Sequence, residues 1–150
     1  VSADVAALVA AARSARALAY APYSGFAVGA AIACDDGTIV TASNFENASY
    51  GLSLCAEAVA IASASARGLL HRAQAIALAG DSIAAPAGTT VTPCGRCRQM
   101  LQEAERIADR AIAIYCAPAA GQGMDGVVRF SLGDLLPHAF GPDVLPAERR

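Results

Sequence analysis

Cys55, Cys94 and Cys97 are three thiols in a spacing that suits a soft divalent metal, and Glu57 follows the first of them by two residues. Three thiolates plus a fourth tetrahedral position left to water is the donor count of a catalytic zinc site. Glu57 is spaced so as not to be a ligand, and from there it can sit beside the water and move its protons. A structural zinc would want a fourth protein ligand, and no other His or Cys stands at a comparable place. A redox pair made of Cys94 and Cys97 is the rival reading, but it would use neither Cys55 nor Glu57. The sequence therefore points to hydrolytic metal chemistry.

The elements that must position these groups follow from pattern and punctuation. Residues 4–20 form an Ala-rich amphipathic helix that stops before Pro22. Residues 26–34 and 38–44 are strands joined through Asp35-Asp36-Gly37, a hairpin turn. Residues 54–67 are helical and end at Gly68. A short apolar strand covers 74–79, followed by a loop with Gly80, Pro86 and Gly88. A second core helix covers 94–108, and strands cover 111–116 and 127–130. Ser131 caps a short helix reaching Leu136. An antiparallel pair followed by strand–helix alternation implies one α/β domain over residues 1–150. Its expected form is a three-layer α-β-α arrangement around a mixed five-stranded sheet. Each core helix carries ligands at its start: Cys55 opens one, while Cys94 and Cys97, three apart, share a face of the other. Helix N-termini carry partial positive charge, which favours the thiolate form that zinc requires.

Composition narrows the partners. Hydrophobic residues make up 55% of the 150 and charged residues only 16%, so a sizeable small-side-chain core is expected, with apolar surface to spare for subunit contacts. The net charge of -2 and the scarcity of Lys/Arg clusters argue against a grip on nucleic acid polymers. Arg149-Arg150 read as a solvated tail. Arg, Asp and Gly break every apolar run, so no membrane span is expected. Nor does a basic leader precede an apolar segment, which predicts a cytoplasmic protein. In a reducing compartment five cysteines read as ligands or packing thiols. Cys34 and Cys116, in apolar strands, are expected to be the packing pair. His71 and His138 are expected to be ordinary packing or surface residues.

The Cys-x-Glu and Pro-Cys-x-x-Cys pattern is a known signature of zinc deaminases acting on nucleobases, matched here as such. Further blocks narrow it: Tyr23-Ser24-Gly25-Phe26-Ala27-Val28-Gly29-Ala30, Asn44-Phe45-Glu46-Asn47-Ala48-Ser49-Tyr50-Gly51-Leu52, Leu135-Leu136-Pro137 and Phe140-Gly141-Pro142. With these the chain resembles the small, homotetrameric cytidine deaminases over most of its length. The resemblance implies one zinc ion per subunit on Cys55, Cys94 and Cys97, with Glu57 transferring protons. Asn44 and Glu46 then hydrogen-bond the ribose, Phe26 lines the base pocket, and the Ala56 backbone reads the base. Tyr50 and Phe140 reach a neighbouring subunit's site; otherwise both are core aromatics. The implied substrate is a free nucleoside, cytidine or deoxycytidine.

One residue departs from the family pattern. Ala58 stands where an Arg often hydrogen-bonds the zinc thiolates. Three thiolates on zinc leave a net charge of about -1, which opposes acidification of the bound water. Helix N-termini, Arg96 or Arg98 are the expected compensators. The alternatives are a deaminase of a cytosine nucleoside analogue such as blasticidin S, a polynucleotide-editing enzyme, or a non-catalytic zinc protein.

Overall fold

The structure is a computed structural model that describes residues 2–81, 86 and 88–146; Arg149-Arg150 lie outside the described residues. Helix α1 (Val5–Arg16) leads into strands β1 (Val28–Cys34) and β2 (Ile39–Ser43), then α2 (Ala56–Ala66) and β3 (Ala73–Gly80). Helix α3 (Gly95–Ala108), β4 (Ala113–Pro118), β5 (Val128–Phe130) and the short α4 (Leu132–Leu135) complete the order. The sheet runs β2-β1-β3-β4-β5, with β3 and β4 parallel and every other neighbour antiparallel. This is the expected mixed five-stranded sheet.

The two faces of the sheet differ in side-chain size. On one face Val28, Ala30, Ile32 and Cys34 of β1, Ile76 and Leu78 of β3, and Ile114 and Cys116 of β4 pack against Ala56, Ala60, Ile61 and Leu101 of α2 and α3. The other face offers Ala31, Ala33, Ala75, Ala77, Ala79 and Ala117 to Leu8, Val9 and Ala12 of α1. Because both faces are covered, β1 is buried along its whole length and shows no polar alternation. Methyl-sized residues let α1 lie close to the sheet. At Gly29 a Cβ would fall 2.0 Å from the Ala12 carbonyl oxygen and 2.4 Å from the Arg16 nitrogen. Both are backbone atoms, so relief requires moving the helix. Gly29→Ala is expected to cost about 3 kcal/mol and about 10 °C in Tm; an unchanged thermal unfolding curve would contradict this packing.

Element ends depart from the sequence reading for identifiable reasons. Helix α1 begins as expected, its first-turn Ala7 N–H bonded to Asp4 Oδ1 at 3.1 Å, but it stops at Arg16. Tyr20 is instead extended and pairs with the segment after β2, its N–H donating to the Asn44 carbonyl at 3.0 Å. Leu18 is consequently exposed and not part of a buried face. Phe26 lies outside β1, and Gly80 lies inside β3, not in the following loop. Strand β4 starts two residues late because Ile112 N–H is taken by the Glu105 carboxylate at 2.9 Å. The hairpin turn at Asp35-Asp36-Gly37 forms as expected, with Gly37 at φ 85°.

Candidate metal centre and substrate cavity

Cys55 and Cys94 are not the first helical residues but the N-caps of α2 and α3, with extended backbone (ψ 151° and 167°) and no capping bond from either thiol. A Ser or Asp there would bend its oxygen onto the helix N–H groups. The uncapped thiols instead leave their sulfurs available to a ligand. Cys97, fully buried, lies in the first turn of α3 and completes the set. The three sulfurs lie within 4.8 Å of one another, and Cys55 Sγ and Cys94 Sγ are 3.8 Å apart. Tetrahedral geometry with Zn–S bonds of about 2.3 Å requires sulfurs about 3.8 Å apart. The donor set is soft, three in number, and spaced for zinc. This is a zinc site with a coordination position to spare.

Without metal, the cluster concentrates negative charge on one sulfur. Hydrogen bonding from the Cys97 thiol, helped by Cys94 and the Arg96 charge and opposed by burial, brings Cys55 down to about 6. Cys97 is pushed up by the same hydrogen bond and by its burial. Cys116 is pushed up to about 12, first by burial and then by the nearby Glu57 charge. It and Cys34 are the buried packing thiols expected. His71 and His138 are exposed surface residues.

Glu57 sits in the first turn of α2 and is 5% exposed. Burial, then the Cys55 charge, raises its carboxyl above the ordinary range, while a hydrogen bond with Cys97 works the other way. A carboxyl beside the three sulfurs is placed to exchange protons with a molecule in the cavity. It lines a cavity of about 220 Å³ together with Phe26, Asn44, Glu46, Cys55 and Ala56. Val28, Ser53, Leu54, Val91, Thr92 and Cys94 complete the wall. Val91, Thr92 and Ser53 were missed in the sequence, since nothing in their type signals chemistry. Thr92 had one clue, its place beside Pro93-Cys94.

Asn44 and Glu46 reach this cavity while holding its rim. The Asn44 amide accepts from Val28 N–H at 2.9 Å and donates to the Phe26 carbonyl at 2.8 Å, extending the β1–β2 ladder with a side chain. Glu46 accepts from the backbone N–H groups of Tyr23 at 2.9 Å and Ser24 at 3.2 Å, and from the Ser24 hydroxyl. The Ser24 hydroxyl, then the backbone donors, hold the Glu46 carboxyl below its usual range. Ser24 was thus a further missed residue, visible only as part of its sequence block.

Two expected site aromatics lie elsewhere in the chain. Tyr50, 75% exposed, stands over a second cavity of about 300 Å³ with Tyr23, Ser24, Glu46 and Ser53. Phe140, 59% exposed, lines a groove against α3, where Gln99 Nε2 donates to its carbonyl at 2.9 Å. Neither is a core residue, and neither lines the cavity of its own chain. The expected compensators also divide. Arg96 contributes its charge to Cys55, whereas Arg98 does not turn to the sulfurs at all: it donates to oxygens of Pro93, Thr92 and Leu135.

Known proteins are similar to this chain in sequence and fold. Residues 3–114 match the family model described as the cytidine and deoxycytidylate deaminase zinc-binding region. The cytidine deaminase of Mycobacterium tuberculosis (strain ATCC 25618 / H37Rv) is 44% identical over 135 residues, spanning 88% of this chain and 86% of the relative. That of Sporosarcina psychrophila is 34% identical over 142 residues, 95% of each chain. The crystal structure of cytidine deaminase from Burkholderia pseudomallei superposes with a TM-score of 0.75 at 41% identity, covering 89% of this chain and 97% of that one. These relatives favour the cytidine reading over the antibiotic one. Three thiols spaced for zinc, a buried carboxylate beside them and a family match across most of the sequence lead to one conclusion: the chain belongs to the cytidine and deoxycytidylate deaminase zinc-binding family.

Proposed function

We propose that the chain is a zinc-dependent nucleoside aminohydrolase, converting cytidine or deoxycytidine and water to the uracil nucleoside and ammonia. The observation that carries this is Glu57, buried beside three converging thiols on the wall of a cavity that also presents Asn44 and Glu46. Zinc held by Cys55, Cys94 and Cys97 would supply a bound water of lowered pKa as the nucleophile. Glu57 takes one proton from the attacking water and delivers it to ring N3 as oxygen bonds to C4. It then takes the proton of the new C4 hydroxyl and hands it to the amino group. The C4–N bond breaks, ammonia leaves, and Glu57 is again a carboxylate. Phe26 packs against the base, the Ala56 backbone reads its polar edge, and the held oxygens of Asn44 and Glu46 bind the sugar hydroxyls.

A free nucleoside fits better than its 5′-phosphate. The charged side chains on the cavity wall, among the described residues, are the carboxylates Glu46 and Glu57, which would repel a phosphate. Ultraviolet monitoring of purified protein, with zinc measured on the same sample, should show loss of cytidine and deoxycytidine and far slower loss of deoxycytidylate. Zinc-loaded protein that spares cytidine but consumes deoxycytidylate or blasticidin S would overturn this reading.

The same reading makes the chain one domain over residues 1–150 of a cytoplasmic homotetramer working in pyrimidine salvage. Exposed Tyr50, Leu52 and Phe140 and five unpaired cysteines support it. Tyr50 and Phe140 would then complete a neighbour's cavity. Among the described residues no helix is long and apolar enough to cross a membrane.

A further inference from the structure

We propose that Arg98 is a positioning residue that sets Cys94 and the Thr92 wall of the cavity as one rigid unit. This rests on the zinc-hydrolase reading. The segment needing support is short and irregular. Residues 90–93 lie in neither helix nor strand, and among the described residues they make no backbone–backbone hydrogen bond. Pro93 has no N–H to give. Yet this segment carries Val91 and Thr92 on the cavity wall and delivers Cys94 to the sulfur cluster.

The Arg98 guanidinium supplies what the backbone lacks. Its Nε donates to the Pro93 carbonyl at 2.7 Å, and one terminal nitrogen to the Thr92 hydroxyl at 3.1 Å. The other terminal nitrogen donates to the Leu135 carbonyl at 2.8 Å, at the end of α4. That helix is itself fixed by reciprocal bonds between Ser131 and Asp134. Arg98 thus joins three pieces: the first turn of α3 with Cys97, the wall segment ending at Cys94, and α4. A planar fork reaches three acceptors in different directions, which an ammonium on a flexible stem does not. Its hydrogen bonds reach no sulfur, so its part is to hold atoms in place while Arg96 and the helix ends carry charge.

The test compares Arg98→Ala, Arg98→Lys and Thr92→Val with the zinc-loaded wild type. It reads the rate of zinc release to a chromogenic chelator well below Tm, KM and kcat for cytidine, and thermal unfolding. Arg98→Ala should release zinc about 10- to 100-fold faster and lose about 100-fold in kcat/KM. Guanidinium ion in the buffer should restore part of both, and Arg98→Lys should resemble Ala. Thr92→Val, which removes only the wall contact, should raise KM with a smaller effect on zinc release. A merely structural arginine would lower Tm while leaving zinc release and KM where they were, and that outcome overturns the proposal. So does Arg98→Lys matching wild type. Should Arg98→Ala not fold, Arg98→Lys and Thr92→Val decide: wild-type zinc release and KM in both sink the idea. The hydrolase reading fails separately, if zinc-loaded wild type leaves cytidine intact, and the zinc-release comparison still judges Arg98.

Discussion

Glu57→Gln is expected to keep its zinc and its fold while losing cytidine turnover by about 10²- to 10⁴-fold. The substitution is isosteric, so the cavity and the three sulfurs stay as they are. What disappears is the group that takes a proton twice and returns it twice in one turnover, and the other carboxylate on the cavity wall, Glu46, is held by Tyr23 and Ser24. Stability should move the opposite way. Burial disfavours the ionised form of Glu57, so a neutral amide removes a folded-state cost. An unchanged or raised Tm with full zinc content and little turnover is the expected combination. Residual activity within tenfold of wild type would remove Glu57 from the mechanism.

Cys97→Ala is expected to lose both metal and turnover. Cys97 is fully buried and supplies the innermost of three sulfurs, and two remaining thiolates no longer form the three-donor set of a catalytic zinc site. Ligand binding stabilises the folded state by mass action, about 4 kcal/mol when zinc is present at a thousand times its dissociation constant. For a chain of this length that corresponds to about 10 °C in Tm. Cys34→Ala provides the contrast. Cys34 is buried as well, but its sulfur lies 3.8 Å from the Leu69 carbonyl, away from the cluster. It should therefore keep zinc and turnover, with only a modest packing loss. Metal analysis and thermal unfolding of the two variants distinguish ligand from packing thiol; equal zinc content in both would overturn the assignment of Cys97.

Asn44 and Glu46 show where legibility in the sequence ended. The family resemblance implied sugar binding by both, and both do line the cavity. Their second task was not readable: each spends hydrogen bonds on the backbone of residues 23–28, tying the rim to the strand end. Arg98 is the clearer case. In the sequence it is a cation next to Cys97, and charge compensation is the natural inference. In space its three donors all meet oxygens. Charge is written in the residue type, but its partners are set by which chain segments happen to pass within reach.

Element order and the types and spacing of the candidate zinc ligands were legible in the sequence, because helix, strand and turn signals and the Cys-x-Glu and Cys-x-x-Cys spacings are local. Apolar runs of strand and helix length, a Gly at φ 85° in the hairpin turn and two Cys-bearing helix starts are short-range facts. The asymmetric faces of the sheet, the close approach that demands Gly29, and the exclusion of Phe140 from its own cavity came only from tertiary structure. Each of these depends on distances between residues far apart in the chain. The opening constellation belongs to both kinds. Cys55, Glu57, Cys94 and Cys97 name a chemistry by their types, but only packing α2 and α3 side by side on one face of the sheet brings the sulfurs within 4.8 Å and buries the carboxylate beside them.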